Sequence, residues 1–338
     1  MGFYRLNKIL SYNNKRFYLI LMNRTAGKTF AVKEFCVKRF LEKGEQFIWV
    51  KRYKEDIDAT IKEYWNDIGF KFPGHTFKYK AGVIYIDDKE AGFAYDINNA
   101  TRYKGNSKPE VWNMHFDEFL NEDGKYLKDE FNKLMNLYQT IARGGGKRIR
   151  PVRCFMTSNT MSLINPYFDA WNIYEKMLDV NTENFIIQGT AWVMECGVNE
   201  DARKEVLEDD FGKMLLEVNS NYGSMSLDNK FYKDNLEFIK DKMPGDCKYR
   251  CTIIYKEKQF GVWLDRKEHI FYINKKVDPT NLITYSLDVS SHNENTVYIS
   301  HSSIFYKAMK EAFEMGSIRF SDLQAKEALM LFLNLKIE

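Results

Sequence analysis

Up to about residue 197, short apolar runs alternate with stretches of helical spacing. The runs at 17–23, 47–51, 83–87, 92–97, 111–116, 152–157 and 185–188 predict strands. Several are apolar throughout instead of alternating, the mark of strands covered on both faces of a parallel sheet. Strands interleaved with helices predict an α/β domain with a central parallel sheet. The segment VIYIDDKEAGFAYDI predicts a hairpin at the sheet edge, turning near Asp87, Asp88 and Lys89. Between 198 and 227 the sequence is charged, with Val206, Leu207, Phe211, Met214, Leu215 and Val218 near helical spacing. That predicts one or two linking helices, ending in the turn-forming cluster at 219–223. From 228 the pattern changes. Three runs at 251–255, 260–264 and 269–273, separated by short polar turns, predict an antiparallel meander. Helices then follow in SSIFYKAMKEAFEMG and from about Asp322. The expected organisation is an α/β domain at 1–197, a helical linker at 198–227 and an α+β domain at 228–338.

Composition narrows the partners. Fifty Lys and Arg against 47 Asp and Glu leave a net charge of only +3, so any nucleic-acid contact must use local basic clusters. The cysteines are odd in number and form no CxxC pair. Cys36 and Cys154 read as reduced core residues, and Cys247 and Cys251 lack the His/Cys partners of a zinc site. The best apolar run near the start, 17–22, is too short to cross a membrane or direct secretion, which predicts a cytosolic protein with no membrane partner.

The richest segment is RFYLILMNRTAGKTF, residues 16–30. Strand, glycine-containing loop and helix in that order present backbone N–H groups and a positive helix end to a phosphate. Gly27 allows close approach of the backbone, Lys28 would reach the β/γ-phosphates, and the Thr29 hydroxyl would ligate Mg²⁺. The full pattern has a glycine five residues earlier, where this chain has Met22, and an ordinary strand-to-helix turn also fits the segment. About 90 residues later, VWNMHFDEF carries an apolar run into Asp117 and Glu118. A neighbouring parallel strand ending this way delivers both carboxylates to the edge where ligands bind, Asp117 for Mg²⁺ and Glu118 for the attacking water. Taken alone, the pair also reads as a solvated acidic turn. PVRCFMTSN is a third candidate strand, ending in Thr157, Ser158 and Asn159, whose side chains suit either a γ-phosphate contact or turn capping. Before it lies a basic segment with Arg143, Lys147, Arg148, Arg150 and Arg153 around three glycines, 144–146. An arginine on such a hinge could enter a neighbouring subunit's site, touch nucleic-acid phosphates or simply be solvated.

Together with GEQFIWVKRYK, FDEF, TSNTMSLINPYF, YGSMSLDNKF and GVWLD, these segments resemble the DNA-packaging motor ATPases of small protein-primed tailed phages, the φ29 type. The resemblance runs nearly end to end. It implies an additional-strand P-loop ring ATPase that uses ATP and Mg²⁺ to move double-stranded DNA into a procapsid. It assigns the Walker A loop to Arg24, Thr25, Ala26, Gly27, Lys28 and Thr29, the metal and catalytic acids to Asp117 and Glu118, and coupling to Ser158 and Asn159. Arg143 falls at the trans-acting finger and Lys104 on a basic position that also acts between subunits. Because the three glycines after Arg143 are an insertion, Arg148 and Arg150 are alternatives for the finger. The second domain is implied to be an RNase H-like nuclease fold that has lost its chemistry. The implied partners are a homo-oligomeric ring, a pentamer, the procapsid portal protein and a structural RNA. The implied location is the host cytoplasm, transiently on the portal vertex.

Three rival readings follow from the same residues. An active nuclease would draw on Asp228, Asp265, Asp278 and Asp288, of which only Asp265 ends a strand. A P-loop kinase is disfavoured by the Asp117-Glu118 pair, since a kinase must not activate water. A scaffold without catalysis is disfavoured by the intact Lys28-Thr29 and Asp117-Glu118 sets.

Overall fold

The unbroken run FYLILM forms strand β1, Phe17–Met22, and all six of its residues are buried. In the computed structural model this strand lies inside a nine-stranded sheet. The other members are β2 (Gln46–Lys51), β3 (Phe77–Lys80), β4 (Val83–Ile86), β5 (Lys89–Asp96), β6 (Val111–Asp117), β7 (Arg153–Ser158), β8 (Phe185–Gln188) and β9 (Trp192–Gly197). Their order is β3-β4-β5-β2-β6-β7-β1-β9-β8. From β5 to β9 every pair is parallel, while β3, β4 and β8 join antiparallel. The structure describes residues 3–122, 124–143, 149–177, 180, 182–208, 210, 214, 237–240, 242–255, 257–280, 283–287, 291–298 and 303–333. They belong to two compact units, Met1–Lys233 and Asp234–Glu338.

Alternate strand residues face opposite layers. After the short α1 (Asn7–Leu10), helices α2 (Lys28–Lys43) and α3 (Lys54–Gly69) cover one face. There Val32, Cys36, Val37, Ile57 and Ile61 pack on Tyr18, Ile20, Phe47, Trp49 and Phe155. Helices α4 (Glu130–Ala142) and α5 (Pro166–Ala170) cover the other, setting Leu134, Leu137, Ile141 and Phe168 against Leu19, Ile48, Val50, Met114 and Met156. The predicted hairpin turns at Asp87 and Asp88, with φ of 50° and 60°, the left-handed pair that a two-residue hairpin turn requires. Its second strand pairs parallel with β2 and so belongs to the sheet proper.

Three features differ from the sequence expectation. β6 is not the neighbour of β1, because β7 lies between them. β9 was not among the predicted strands, since Glu195 interrupts its apolar run. That carboxylate stays buried by accepting the Tyr4 hydroxyl proton at 2.6 Å. β3, with the sequence FKYK, alternates lysines with half-buried aromatics at the sheet edge and was too polar to read as a strand. In the 198–227 stretch, α6 (Ile173–Met177) having preceded it, α7 (Glu200–Glu208) is helical. The 219–223 cluster, YGSMSLDNKF, Asp228, Asp288, glycines 144–146, Lys147 and Arg148 all lie outside the described residues.

The second unit has a six-stranded sheet made of β10 (Lys248–Tyr255), β11 (Lys258–Asp265), β12 (Ile270–Asn274), β13 (Thr284–Ser286), β14 (Val297–Tyr298) and β15 (Ile318–Phe320). Its order is β14-β13-β10-β11-β12-β15. β10, β11 and β12 form the expected antiparallel meander, and β13 runs parallel to β10. Helices Ile304–Glu314 and Leu323–Phe332 start at Ser303 and Asp322, whose side chains accept from backbone amides three residues on. Met309, Ala325, Leu329 and Phe332 close the core over Cys251, Ile253, Phe260 and Ile273.

Candidate active site

The parallel strands of the first unit end at a common edge, where ligands bind in such sheets. β1 gives way at buried Asn23, whose amide oxygen accepts from the Asn199 N–H at 2.8 Å and whose NH₂ donates to the Asn199 carbonyl at 3.4 Å. This pairing ties the loop entry to the end of β9. Thr25 and Gly27 adopt the left-handed region, φ 62° and 81°. The positive φ calls for glycine at 27, and a Cβ there would also lie 2.8 Å from Phe3 Cδ1, so that side chain would have to shift. The Tyr4 N–H donates to the Ala26 carbonyl at 2.8 Å, strapping the N-terminal segment to the loop. Met22, in the place of the pattern's first glycine, is the last residue of β1, buried and paired with Gly197. Its φ is not positive, so no glycine is needed there. The exposed Thr25 turns its hydroxyl to the Arg24 carbonyl, 2.6 Å away. α2 begins at Gly27 without a side-chain cap, which leaves its first amides for an anion.

A cleft of about 580 Å³ opens above this edge, and Arg24, Lys28, Thr29, Asp117, Glu118, Ser158 and Asn159 all line it. The place of β7 explains how they meet. Inserted between the acid strand and the loop strand, it carries Thr157 and Asn159 to opposite sides. Asn159 Oδ1 accepts from Lys28 Nζ at 2.6 Å, and the Thr157 hydroxyl donates to Asp117 Oδ1 at 2.8 Å. Thr29 Oγ1 donates to the same carboxylate oxygen, also at 2.8 Å. The Ser158 hydroxyl instead donates to the Leu120 carbonyl at 3.3 Å, so it braces the loop after β6. Arg24 is ion-paired with Glu122 across the cleft.

The charges there are strongly coupled. Desolvation lowers the Lys28 pKa to about 8, with Arg24 adding to it and Asp117 and Glu118 opposing it. Burial alone would raise the Asp117 carboxyl. The Lys51 ammonium and the two threonine hydroxyls outweigh burial and hold it below the usual carboxylate range. Lys51, at the end of β2, lies 3.2 Å from Asp117 Oδ2 and 2.8 Å from Glu118 Oε2. Glu118 has φ 56° and a side chain 76% exposed, so a strained backbone aims it into the cleft while Lys51 tethers it.

Lys51 and Arg52 carry no local motif that assigns either a role. Arg52 forms a buried ion pair with Glu130, Nε to Oε2 at 3.0 Å, and its Nη2 donates to the Phe119 carbonyl at 2.8 Å. The Tyr167 hydroxyl and the Leu127 N–H complete the Glu130 carboxylate at 2.6 and 2.8 Å. The backbone just after Glu118 is thereby fastened to the first residue of α4. His115, fully buried on β6, has Nε2 2.9 Å from Thr157 Oγ1. Burial lowers its pKa to about 4, so it is neutral at pH 7.

Lys104 and Arg143 do not line the cleft. Lys104 is exposed, just past the 3₁₀ turn Ala100–Tyr103. Arg143 is exposed at the end of α4, its carbonyl accepting the Ser107 hydroxyl at 2.9 Å. α4 has 13 residues and rises about 20 Å, starting at the cleft with Glu130 and ending beyond Tyr138, which bonds Val152 at the opposite edge of the sheet. Arg143 therefore cannot reach the cleft of its own chain. Arg150 is engaged elsewhere, with Nη2 2.7 Å from Glu45 Oε2 and its guanidinium over the Trp112 ring.

Comparison with known proteins agrees with this geometry. The chain is similar to the DNA packaging protein of Bacillus phage phi29, at 34% identity over 341 residues, covering 99% of this chain and 98% of that protein. It also matches a solved structure of the bacteriophage Phi-29 viral genome packaging motor assembly, with a TM-score of 0.78 and 31% identity over 100% of both chains. The crystal structure of the N-terminal domain of the DNA packaging ATPase from bacteriophage phi29 matches with a TM-score of 0.50 and 34% identity, over 57% of this chain and 95% of that one. The model for the podovirus DNA encapsidation protein (Gp16) matches residues 1–337, and this chain belongs to that family.

Proposed function

We propose that this chain hydrolyses ATP to drive viral double-stranded DNA into a preformed procapsid, as one subunit of a ring. The observation that carries the reading is the convergence on one sheet edge of Lys28, Thr29, Asp117 and Glu118, linked through Asn159 and Thr157 on the strand between them. Thr29 and Asp117 would hold Mg²⁺. Both are hard oxygen donors, 2.8 Å apart in this cleft, of the kind that Mg²⁺ takes. Bound there, the ion would neutralise phosphate charge. The amides of the loop and the Lys28 ammonium bind the phosphates, and Glu118 polarises the attacking water. Asn159, bonded to Lys28, loses that bond when a phosphate takes the ammonium, which makes it the sensor of the γ-phosphate. Ser158 supports the sensor through the Leu120 carbonyl.

The neighbouring subunit supplies Arg143, on the strength of its exposure at the far end of α4 and the engagement of Arg150 with Glu45. Lys104 acts at the same subunit boundary. The chain is organised as an ATPase domain at 1–197, a linker at 198–227 and a second domain at 228–338, and the break between compact units at 233/234 supports this. The order β12-β11-β10-β13-β14, with three antiparallel strands and then two parallel ones, supports an RNase H-like ancestry for the second domain. The expected partners are a pentameric ring, the portal and a structural RNA, with the motor moving from host cytoplasm to the portal vertex. None of the helices among the described residues is long and apolar enough to cross a membrane.

Nuclease protection tests the function. With procapsids and ATP, the wild-type protein renders genome DNA resistant to added nuclease, whereas Glu118→Gln protects none. Protection by Glu118→Gln, or protection without ATP, overturns the proposal.

A further inference from the structure

His115 is the one fully buried histidine among the described residues, and nothing above gives it work to do. It occupies an inward position of β6, two residues before Asp117 and opposite Trp49 and Phe155 on the flanking strands. Its Nδ1 is buried without a hydrogen-bond partner, so the position does not satisfy an imidazole well for its own sake. Its Nε2 meets the Thr157 hydroxyl at hydrogen-bond distance and stands 3.8 Å from Asp117 Oδ1. In the β6–β7 register, Asp117 lies opposite Thr157 and His115 opposite Phe155, so the imidazole reaches diagonally to the hydroxyl.

A threonine hydroxyl has a single proton. Thr157 gives that proton to Asp117 Oδ1 at 2.8 Å and must therefore accept in its contact with His115, 2.9 Å away, which puts the imidazole proton on Nε2. We propose that His115 is a positioning residue for the metal-binding carboxylate. Its Nε2–H fixes the Thr157 hydroxyl as a donor to Asp117 and so sets the orientation of the oxygen that faces the ion. Without the imidazole, the hydroxyl is free to rotate away. Asp117 Oδ1 then keeps only the Thr29 donor, while Lys51 pulls on Oδ2 from the other side. Groups that orient a metal's ligands from behind change its affinity about 10- to 100-fold when removed. The inference rests on the reading of Asp117 and Thr29 as the Mg²⁺ ligands.

The test measures nucleotide binding rather than turnover. A fluorescent ADP analogue is titrated into the full chain at increasing Mg²⁺ and, separately, in EDTA. His115→Leu and Thr157→Val should each raise the Mg²⁺ concentration for half-maximal tightening about tenfold, with the affinity in EDTA unchanged. The double variant should do no more than either single one, since both break one relay. His115→Gln, whose amide nitrogen reaches the position of Nε2, should stay within about twofold of wild type. The melting temperatures of the Leu and Gln variants control for folding. Wild-type Mg²⁺ dependence in His115→Leu, or equal behaviour of the Gln and Leu variants, overturns the inference. Asp117→Asn separates the two levels. If it abolishes the Mg²⁺ effect while His115→Leu does not, only the relay falls. If it leaves the effect intact, the ligand assignment falls and the relay with it.

Discussion

Asp117 and Asp265 both end a strand within a mixed α/β unit, yet they do different things. Asp117 is buried beside Lys51, Thr29, Thr157 and Glu118, at an edge where six parallel strands finish together. Asp265 accepts the backbone N–H groups of Lys267 and Glu268 at 2.9 and 3.2 Å, so its carboxylate closes the turn between β11 and β12. β10 and β13, which pair in parallel in that sheet, carry no carboxylate. Among the described residues, no group of three or more His, Cys, Asp or Glu side chains could hold a metal. At Asp117 the hydroxyls and the ammonium that meet the carboxylate come from other elements, which gathers the groups of a site around it. In the antiparallel meander the groups that meet Asp265 Oδ1 are the backbone amides of its own turn.

The sharpest way to break this contrast is to neutralise one acid in each unit. Glu118→Gln should reduce ATP turnover by about 10²–10⁴-fold with nucleotide affinity retained, as loss of a general base does. Asp265→Asn should leave turnover at the wild-type level in the same steady-state assay. A Glu118→Gln protein with half of wild-type activity would remove the distinction between the two sheets.

Stability should show the next largest difference. Arg52 and Glu130 are both buried, so Arg52→Met leaves an unpaired carboxylate and should cost about 3–5 kcal/mol in urea unfolding. Asp265→Ala removes a turn contact and should cost about 1 kcal/mol. Equal losses would mean that the Arg52 network carries no special weight at the active edge.

The pH response is the smallest effect. Lys28 titrates near 8 in the unliganded site, and a bound phosphate restores its proton. Binding therefore takes up a proton above pH 8, and nucleotide affinity should fall as pH rises through about 8, by at most tenfold per pH unit. Lys28→Arg, which stays charged, should flatten the fall in a binding titration from pH 7 to 9.5. A fall of equal slope in both would assign the titration to another group.

Much of the first unit was legible because its signals are local. The GKT turn, the apolar run into Asp117-Glu118, and Thr157-Ser158-Asn159 at a strand end each declare themselves within ten residues. So does the Asp87-Asp88 turn. What was not legible depends on pairs distant in sequence. Lys51 and Arg52 look like surface cations at a strand end, and only the β2–β6 pairing and the packing of α4 set them on Asp117 and Glu130. Asn23 reads as the end of the first strand, and only β9 brings Asn199 beside it; β9 itself was hidden by Glu195, whose partner Tyr4 is 191 residues away. Met22 counted against the loop in the sequence, although the strand extends through it and the left-handed turn falls on Thr25 and Gly27.

The central claim is that this cleft is half of a site completed by another subunit. Steady-state ATPase activity of a mixture of Glu118→Gln and Arg143→Ala, each inactive alone, tests it most directly. Activity of the mixture well above that of either variant is the predicted result, because an Arg143→Ala cleft then meets a neighbour that keeps its arginine. A mixture no more active than either variant alone would contradict the account and return the complete site to a single chain.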